Sequence, residues 1–143
     1  MIRTDRGQVS VAIEAKAGEE FDRPLRDWLA DDKGTKANRL RFLCQELHVT
    51  AEPPLDLRYQ LFHRAASATL EARRWQIPRA LMLVQSFKES ASAWTDYVAF
   101  ATWMGLTATR DALVGPHNAD GVELFLGWVD CPKASDKIAA SAL

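Results

Sequence analysis

Residues Gln8–Glu20, with the sequence QVSVAIEAKAGEE, decide how this chain is interpreted. The first part alternates apolar residues with small or polar ones, which is the period of a β-strand. Glu14 and Lys16 then lie two positions apart, so a strand places both side chains on the same face. Burying one charge costs roughly several kcal/mol unless it is paired or bound to an ion. The sequence must therefore explain what holds a carboxylate and an ammonium group together on this strand.

Length and composition predict one globular domain. The chain has 143 residues, of which 48% are hydrophobic and 26% charged. We expect the domain to span residues 1–132 and the polar tail, 133–143, to be flexible. No apolar run approaches the ~20 residues that cross a bilayer, so no membrane partner is expected.

Charge and cysteine content narrow the functional class. The net charge of −1 argues against a general polyanion binder, which would be strongly basic. A local exception is Lys33–Arg41, KGTKANRLR, with four basic residues and no acidic one. Such a run is either a solvated helix start or a phosphate contact, and Lys36 and Arg39 are its candidates for nucleic-acid binding. Cys44 and Cys131 are far apart and predict reduced, core-packed thiols in a cytoplasmic protein.

Apolar spacing beyond the opening strand predicts mostly helices. Positions 40, 43, 44 and 47 indicate a helix over Lys36–His48, and a longer helix follows over Leu57–Trp75. A face of small residues on the longer helix lets it pack close to a sheet. A further helix includes Trp94 and is closed by Gly105.

Two more strands are predicted in the second half of the chain. RALMLVQSF, residues 79–87, has no alternation and is typical of a strand buried on both faces. VELFLGWV, residues 122–129, alternates and predicts the last strand, whereas GPHNADG, residues 115–121, is interpreted as a loop. This element order predicts an α/β fold with a mixed sheet.

The Glu–Lys pair has a plain and a functional interpretation. The plain one is an exposed edge strand or a simple ion pair. The functional one is metal-assisted phosphodiester hydrolysis, in which Glu14 holds Mg²⁺ or Mn²⁺ and Lys16 orients the attacking water. That chemistry also calls for a second carboxylate, because one holds Mg²⁺ weakly.

The wider sequence resembles a known nuclease superfamily. AIEAKAGEEF resembles the E-x-K form of the PD-(D/E)XK signature. The order of further motifs resembles that in uncharacterised bacterial members of the superfamily, and the similarity extends from about Arg3 to Val129. The motifs are DWL, LRFLCQEL, LRYQLFHRAASATLEA, LVQSF and LFLGWV. The resemblance implies a restriction-endonuclease-like mixed sheet flanked by helices, with an αβββαβ core. It implies that Glu14 is a metal ligand, Lys16 the catalytic lysine and the Ala15 carbonyl a main-chain metal ligand.

One part of the superfamily pattern has no counterpart. The first metal-binding aspartate belongs on the preceding strand, which would lie before Met1, and Asp5 has the setting of a turn. We therefore expect an N-terminally shortened core and a poor nuclease, or a catalytically inactive module for binding or assembly. The open edge beside Val9–Ala17 favours homodimerisation by strand pairing.

The long predicted helix supplies further site candidates. Gln60, Arg64, Ser67 and Glu71 form a polar stripe, which is either solvent-exposed or lines the cleft beside Lys16. In the second case Gln60 completes the catalytic site and Arg64 contacts phosphate.

The remaining candidates have equally plain alternatives. Arg58 is a further phosphate contact or merely the helix start, and His63 is more typical of packing than of catalysis. Glu19 is a supplementary metal ligand or a helix-start acid. The expected partner is nucleic acid, DNA in preference to RNA.

Overall fold

The protein is a mixed α/β structure built on one five-stranded sheet. The computed structural model describes residues 1–30, 34–88 and 90–132. In these ranges no helix is both long and apolar enough to cross a membrane. The elements in chain order are β1 (Ile2–Thr4), β2 (Gly7–Lys16), α1 (Leu25–Ala30), α2 (Thr35–Glu46), α3 (Tyr59–Arg74), β3 (Arg79–Ser86), α4 (Ala91–Trp103), β4 (Ala112–Ala119) and β5 (Val122–Asp130).

Three parallel strands form the centre of the sheet. The strand order is β1-β2-β3-β5-β4, with β2, β3 and β5 parallel and both outer strands antiparallel to their neighbours. Lys16, Ser86 and Asp130 are in register across the central strands, so their carboxyl ends meet at one edge. Helix α3 connects β2 to β3, as a parallel crossover requires. This arrangement sets the start of α3 beside the end of β2.

The first hairpin covers only part of the outer edge of β2. Thr4 and Gly7 are paired across a tight turn, as the TDRG sequence predicts, and β1 reaches only as far as Val9. The backbone carbonyl of Lys16 accepts a bond from Phe87, just beyond β3. Because bonding direction alternates along a strand, Ala15 and the other odd-numbered residues point their backbone groups toward the open edge.

The hydrophobic core lies on one face of the sheet. The buried side chains of β3 and β5 on this face include Met82, Val84, Leu124, Leu126 and Trp128. Small residues of α3 pack against them: Ala65, Ala68 and Ala72, each at most 1% exposed. Helix α4 lies on the same face, since the rings of Trp94 and Tyr97 contact that of Trp128.

The opposite face of the sheet is only half covered. On β3 the side chains alternate between buried and half-buried, so the prediction of a strand buried on both faces was wrong. Leu81 and Leu83 are half-buried, and neither belongs to the core cluster. Helices α3 and α4 both pack against the sheet from the other side.

The interpretation of residues 115–121 as a loop was also wrong. Gly115–Ala119 form the second half of β4, and only a short turn at Asp120 and Gly121 separates β4 from β5. Pro116 and a register shift between Val114 and His117 interrupt the strand, which hid its period in the sequence. The sheet therefore has two more strands than the three predicted, β1 and β4.

Other predictions of secondary structure were close. Helices α2 and α3 begin and end within two residues of the predicted bounds, and Gly105 follows α4 with a positive φ of 77°. Cys44 and Cys131 are both free and half-buried. The predicted flexible tail, residues 133–143, lies outside the described residues.

Candidate functional site

Strand β2 carries its two charges into the covered side of the sheet. Glu14 is 7% exposed and Lys16 is 4% exposed. Ile13, which points to the opposite face of the strand, is 47% exposed. The even-numbered residues of β2 face the helices, which is the side where water is excluded. A carboxylate and an ammonium group are thus buried together, and neighbouring side chains must satisfy both.

Both oxygens of the Glu14 carboxylate are occupied. Oε1 accepts a hydrogen bond of 2.6 Å from Nε2 of Gln60 and lies 3.2 Å from Nζ of Lys16. Oε2 accepts a bond of 2.7 Å from Nε of Arg64. Two cations therefore share one carboxylate.

The ammonium group of Lys16 is held by acceptors on three sides. Besides Glu14, Nζ donates to Oε1 of Gln60 at 3.0 Å and to the backbone carbonyl of Glu20 at 3.2 Å. The ring of Phe21 lies beneath it, with its centroid at 4.8 Å. Both oxygens of Glu14 and the ammonium group of Lys16 therefore each have a partner within the protein.

Gln60 connects the site to the chain that follows β2. Its Oε1 accepts bonds from Lys16 and from the backbone N–H of Asp22 at 3.2 Å, while its amide nitrogen donates to Glu14. One side chain thereby fixes β2, the start of α3 and the loop before α1. We refer to Glu14, Lys16, Gln60 and Arg64 as the polar cluster.

The sequence of α3 places the last two members of the polar cluster. Gln60 and Arg64 are four residues apart, so they lie one above the other on the helix side that faces β2. The alanines of α3 bring that side close enough to the sheet for a glutamine amide to reach Glu14. The structure thus places these two residues of the predicted polar stripe against Glu14 and Lys16 of β2, whereas Glu71 is exposed.

Of the predicted metal ligands, Glu14 is buried and bonded to Lys16 and Arg64, whereas Ala15 and Glu19 are exposed. Oε2 of Glu19 accepts the backbone N–H of Ala17 at 2.8 Å. Its own backbone N–H and then that of Ala17 lower the pKa of the Glu19 carboxyl. No cluster of three or more carboxylate, imidazole or thiolate groups occurs within residues 1–30, 34–88 and 90–132. With Glu14 shared by Lys16 and Arg64, the donor set fits cations of the protein itself better than Mg²⁺ or Mn²⁺.

Arg58 pairs with acidic side chains outside the polar cluster. It is the N-cap residue of α3, and its guanidinium forms an ion pair of 2.9 Å between Nε and Oδ2 of Asp96 on α4. A second, longer contact of 3.7 Å reaches Glu20. Burial raises the pKa of the Asp96 carboxyl, against the lowering effect of Arg58. The interpretation of Arg58 as a helix start describes its position, and its guanidinium is already paired.

Three of the predicted basic residues lie near one another at the start of α2 and α3. The guanidinium of Arg39 is 5.9 Å from the ring centroid of Tyr59, and Nζ of Lys36 donates to the carbonyl of Trp28. Arg64 is 40% exposed although its Nε bonds to Glu14. We call Lys36, Arg39 and Arg64 the basic surface.

His63 lies beside two residues of the basic surface, Arg39 and Arg64. Its pKa is lowered, first by partial burial and then by the positive charges of Arg39 and Arg64. The imidazole is half-buried beside the ring of Tyr59, at 6.1 Å between centroids. Arg39 and Arg64 therefore both lie close to this imidazole, and Arg64 is also paired with Glu14.

Sequence reasoning missed Phe21 and Asp96 as parts of the site, and it did not foresee the role of the Glu20 backbone carbonyl. Phe21 and the carbonyl of Glu20 surround Lys16, and Asp96 pairs Arg58 from a distant helix. Phe21 follows the acidic GEE segment and is 3% exposed, so an aromatic residue in a polar loop was the available signal. Asp96 gave no such signal, because its partner is determined only by the packing of α4.

Comparison with known proteins identifies a family without an assigned function. A family described as "Domain of unknown function (DUF6946)" matches residues 1–133. No curated protein and no solved structure matches the chain. The match covers every described element, from β1 to β5.

Proposed function

Because this chain belongs to the DUF6946 family, whose description assigns no activity, we propose a function from the site alone: a nuclease-like fold that binds nucleic acid without hydrolysing it. The restriction-endonuclease-like relationship is part of this proposal. The observation that carries it is the closure of Glu14 by Lys16, Gln60 and Arg64. A carboxylate bonded in this way stabilises the fold and anchors Arg64, whose exposed part remains available to a phosphate group.

The basic surface supports phosphate binding. Arg64 is fixed at one end by Glu14, so its guanidinium is preorganised and loses little freedom on binding. Arg39, which is exposed, lies close enough to influence the same imidazole as Arg64. Three cations on one surface can contact successive phosphates of one strand, with DNA proposed before RNA.

Metal-dependent hydrolysis is the second candidate. It is favoured by the contact among Glu14, Lys16 and Gln60, which brings together the three residues predicted to be catalytic. It requires Arg64 to leave Oε2 of Glu14 and a further carboxylate to approach. The two candidates therefore differ in what happens to Arg64.

Binding and cleavage should be measured on the same oligonucleotides. Fluorescence anisotropy with labelled duplex DNA and single-stranded RNA, between 50 and 200 mM NaCl, gives affinity and its salt dependence. We expect the logarithm of the association constant to fall linearly with log[salt], with a slope of about 0.9 for each phosphate neutralised on duplex DNA. Incubation of the same samples with Mg²⁺ or Mn²⁺ should give no cleavage. Metal-dependent cleavage that Glu14→Gln abolishes would favour the hydrolase instead.

A matched pair of variants tests the surface. Arg39→Gln should weaken DNA binding and reduce the salt slope by about one phosphate. Arg41→Gln is the control, because Arg41 is on the same helix but bonds to Asn38 and lines a different groove. Equal effects of both variants, or no DNA binding by the unmodified chain, would refute binding by the basic surface.

A titration with Mn²⁺ separates the two candidates at Arg64. We expect no calorimetric signal with the unmodified chain and a weak one with Arg64→Gln, which frees one oxygen of Glu14. Mn²⁺ binding by the unmodified chain that is lost in Glu14→Gln would show that the cluster opens readily, and the hydrolase would then be the better proposal.

A further inference from the structure

The half-covered face of the sheet is the largest feature that the polar cluster does not use. Its side chains come from β2, β3, β5 and β4, and we call it the open face: Val9, Val11, Ile13, Leu81, Leu83, Leu113, Phe125 and Val129. Leu113 is 59% exposed and Ile13 47% exposed. None of the eight belongs to the core cluster. Contiguous apolar surfaces of this kind are typical of protein interfaces.

The open face is concave. A trough of about 570 Å³ runs over Val9, Val11, Leu81 and Phe125, between the β1–β2 hairpin and β4. Gly127 lies at the bottom of the apolar region, where the side chains of Leu81, Leu83 and Leu113 close over it. The face therefore offers relief into which apolar side chains of a partner can insert.

The charge of the open face favours a copy of itself. Its charged side chains within the described ranges are Arg79 and Glu123, which pair with each other at 3.3 Å. The hairpin adds one charge of each sign at the rim, Asp5 and Arg6. A face with net charge would repel its own copy, whereas the charges of this face cancel.

The size of the open face is sufficient for such a contact. Four strands of at least eight residues, about 4.8 Å apart and rising about 3.3 Å per residue, cover roughly 500 Å². Two copies would then bury about 1,000 Å² before the hairpin is added, which is the lower limit for a specific interface. Sheets pack face to face about 10 Å apart through interdigitated apolar side chains.

We propose that two copies of this chain form a dimer by packing their open faces together. The polar cluster and the basic surface then lie on the two outer sides of the dimer, away from the contact. This proposal does not depend on the proposed nucleic-acid binding. It also differs from pairing of the β2 edges, which would extend the sheet and leave the open face uncovered.

Sedimentation of the full chain between about 1 and 200 μM tests the proposal. We expect a concentration-dependent species of twice the 16.0 kDa chain mass. Ile13→Glu with Leu113→Glu should raise the dimer dissociation constant at least about a hundred-fold, since two charges would be buried in the contact. Both residues are already half exposed in one copy, so the monomer should keep its fold by circular dichroism. A monomer at every concentration of the unmodified chain would overturn the proposal.

Two controls keep the outcome specific. Phe42→Glu, on α2, changes a side chain with 46% exposure outside the open face and should leave the dimer intact. Ala15→Pro removes a backbone N–H that points to the open edge of β2, so it blocks edge pairing while leaving the ladder to β3. If the dimer persists in the double glutamate variant but is lost in Ala15→Pro, the two copies pair through their β2 edges and the proposal of face packing is wrong. A monomer that dimerises only without residues 133–143 would also overturn the proposal.

Discussion

The two faces of β2 differ in the opposite sense from most half-buried strands. The face under the helices carries Glu14 and Lys16, while the face toward solvent carries Val11 and Ile13. On an ordinary antiparallel sheet the apolar side is covered and the charged side is wet. The difference teaches that burial here follows specific bonding partners on α3 as well as hydrophobicity. It also identifies the exposed side as the one against which no helix of the described residues is seen to pack.

The largest effect is expected from breaking the covered face at its charges. Glu14→Leu leaves Lys16 buried without its carboxylate and should lower the free energy of unfolding by about 3–5 kcal/mol. Urea denaturation followed by circular dichroism measures this. The double variant Glu14→Leu, Lys16→Met removes both charges and should recover most of the loss. A double variant as unstable as the single one would show that lost packing or the unpaired Gln60 and Arg64, not the charge of Lys16, sets the cost.

The next largest effect compares neighbouring residues of β3 that point to opposite faces. Met82 is fully buried under α3, so Met82→Ala should lower the free energy of unfolding by about 2–5 kcal/mol. Leu83 on the open face is half-buried, so in dilute solution Leu83→Ala should lower the free energy of unfolding by less than about half as much. The same urea experiment at high protein concentration sharpens the comparison, because a face-packed dimer adds a concentration-dependent cost to Leu83→Ala. Equal losses at all concentrations would contradict the assignment of the two faces.

A smaller effect is expected at Gly127, where the open face is most crowded. An added Cβ would lie 2.7 Å from Cδ2 of Leu113 and 3.0 Å from Cδ1 of Leu83. Both atoms are ends of flexible side chains, so Gly127→Ala should lower the free energy of unfolding of the monomer by only about 1 kcal/mol. Thermal unfolding measures this, with Gly115→Ala as the contrasting case. There φ is +126° and the new Cβ meets the backbone oxygen of Leu124 at 2.9 Å, so a larger loss is expected.

The smallest effect is a change of pKa beside the covered face. The pKa of His63 lies below its ordinary value of 6.5, first through burial and then through Arg39 and Arg64. The associated stability is therefore present above that value and is lost as the pH falls through the lowered pKa. Arg39→Gln should raise the pKa of His63 modestly, and bound nucleic acid should raise it too. Proton NMR titration of the imidazole measures both, and an unchanged pKa in Arg39→Gln would contradict the proposed proximity.

Sequence patterns predicted the parts of the fold that have regular spacing. The alternation in β2 and β5 and the small residues of α3 led to the central strands and the crossover helix. The pair Gln60 and Arg64 was found because residues four apart on a helix share a side, and the strand period put Glu14 and Lys16 together. These are local rules, and they held where the chain is regular.

The remaining features depend on contacts that no local rule gives. Pro116 and the register shift concealed β4, because they interrupt the alternation by which a strand is recognised. The pairing of Arg58 with Asp96 depends on how α4 crosses the start of α3. Whether Glu14 holds a metal or an arginine could not be predicted either, since the same helical spacing serves both arrangements.

The alanines of α3 carry information that a search for charged signatures would overlook. Ala65, Ala68 and Ala72 determine how near the helix axis lies to the sheet, and so whether an amide at position 60 can span the gap to position 14. A relative could keep both polar residues yet lose their contact through one bulky substitution at these three positions. Diagnosis of this site in other sequences should therefore weigh helix–sheet spacing alongside the E-x-K letters.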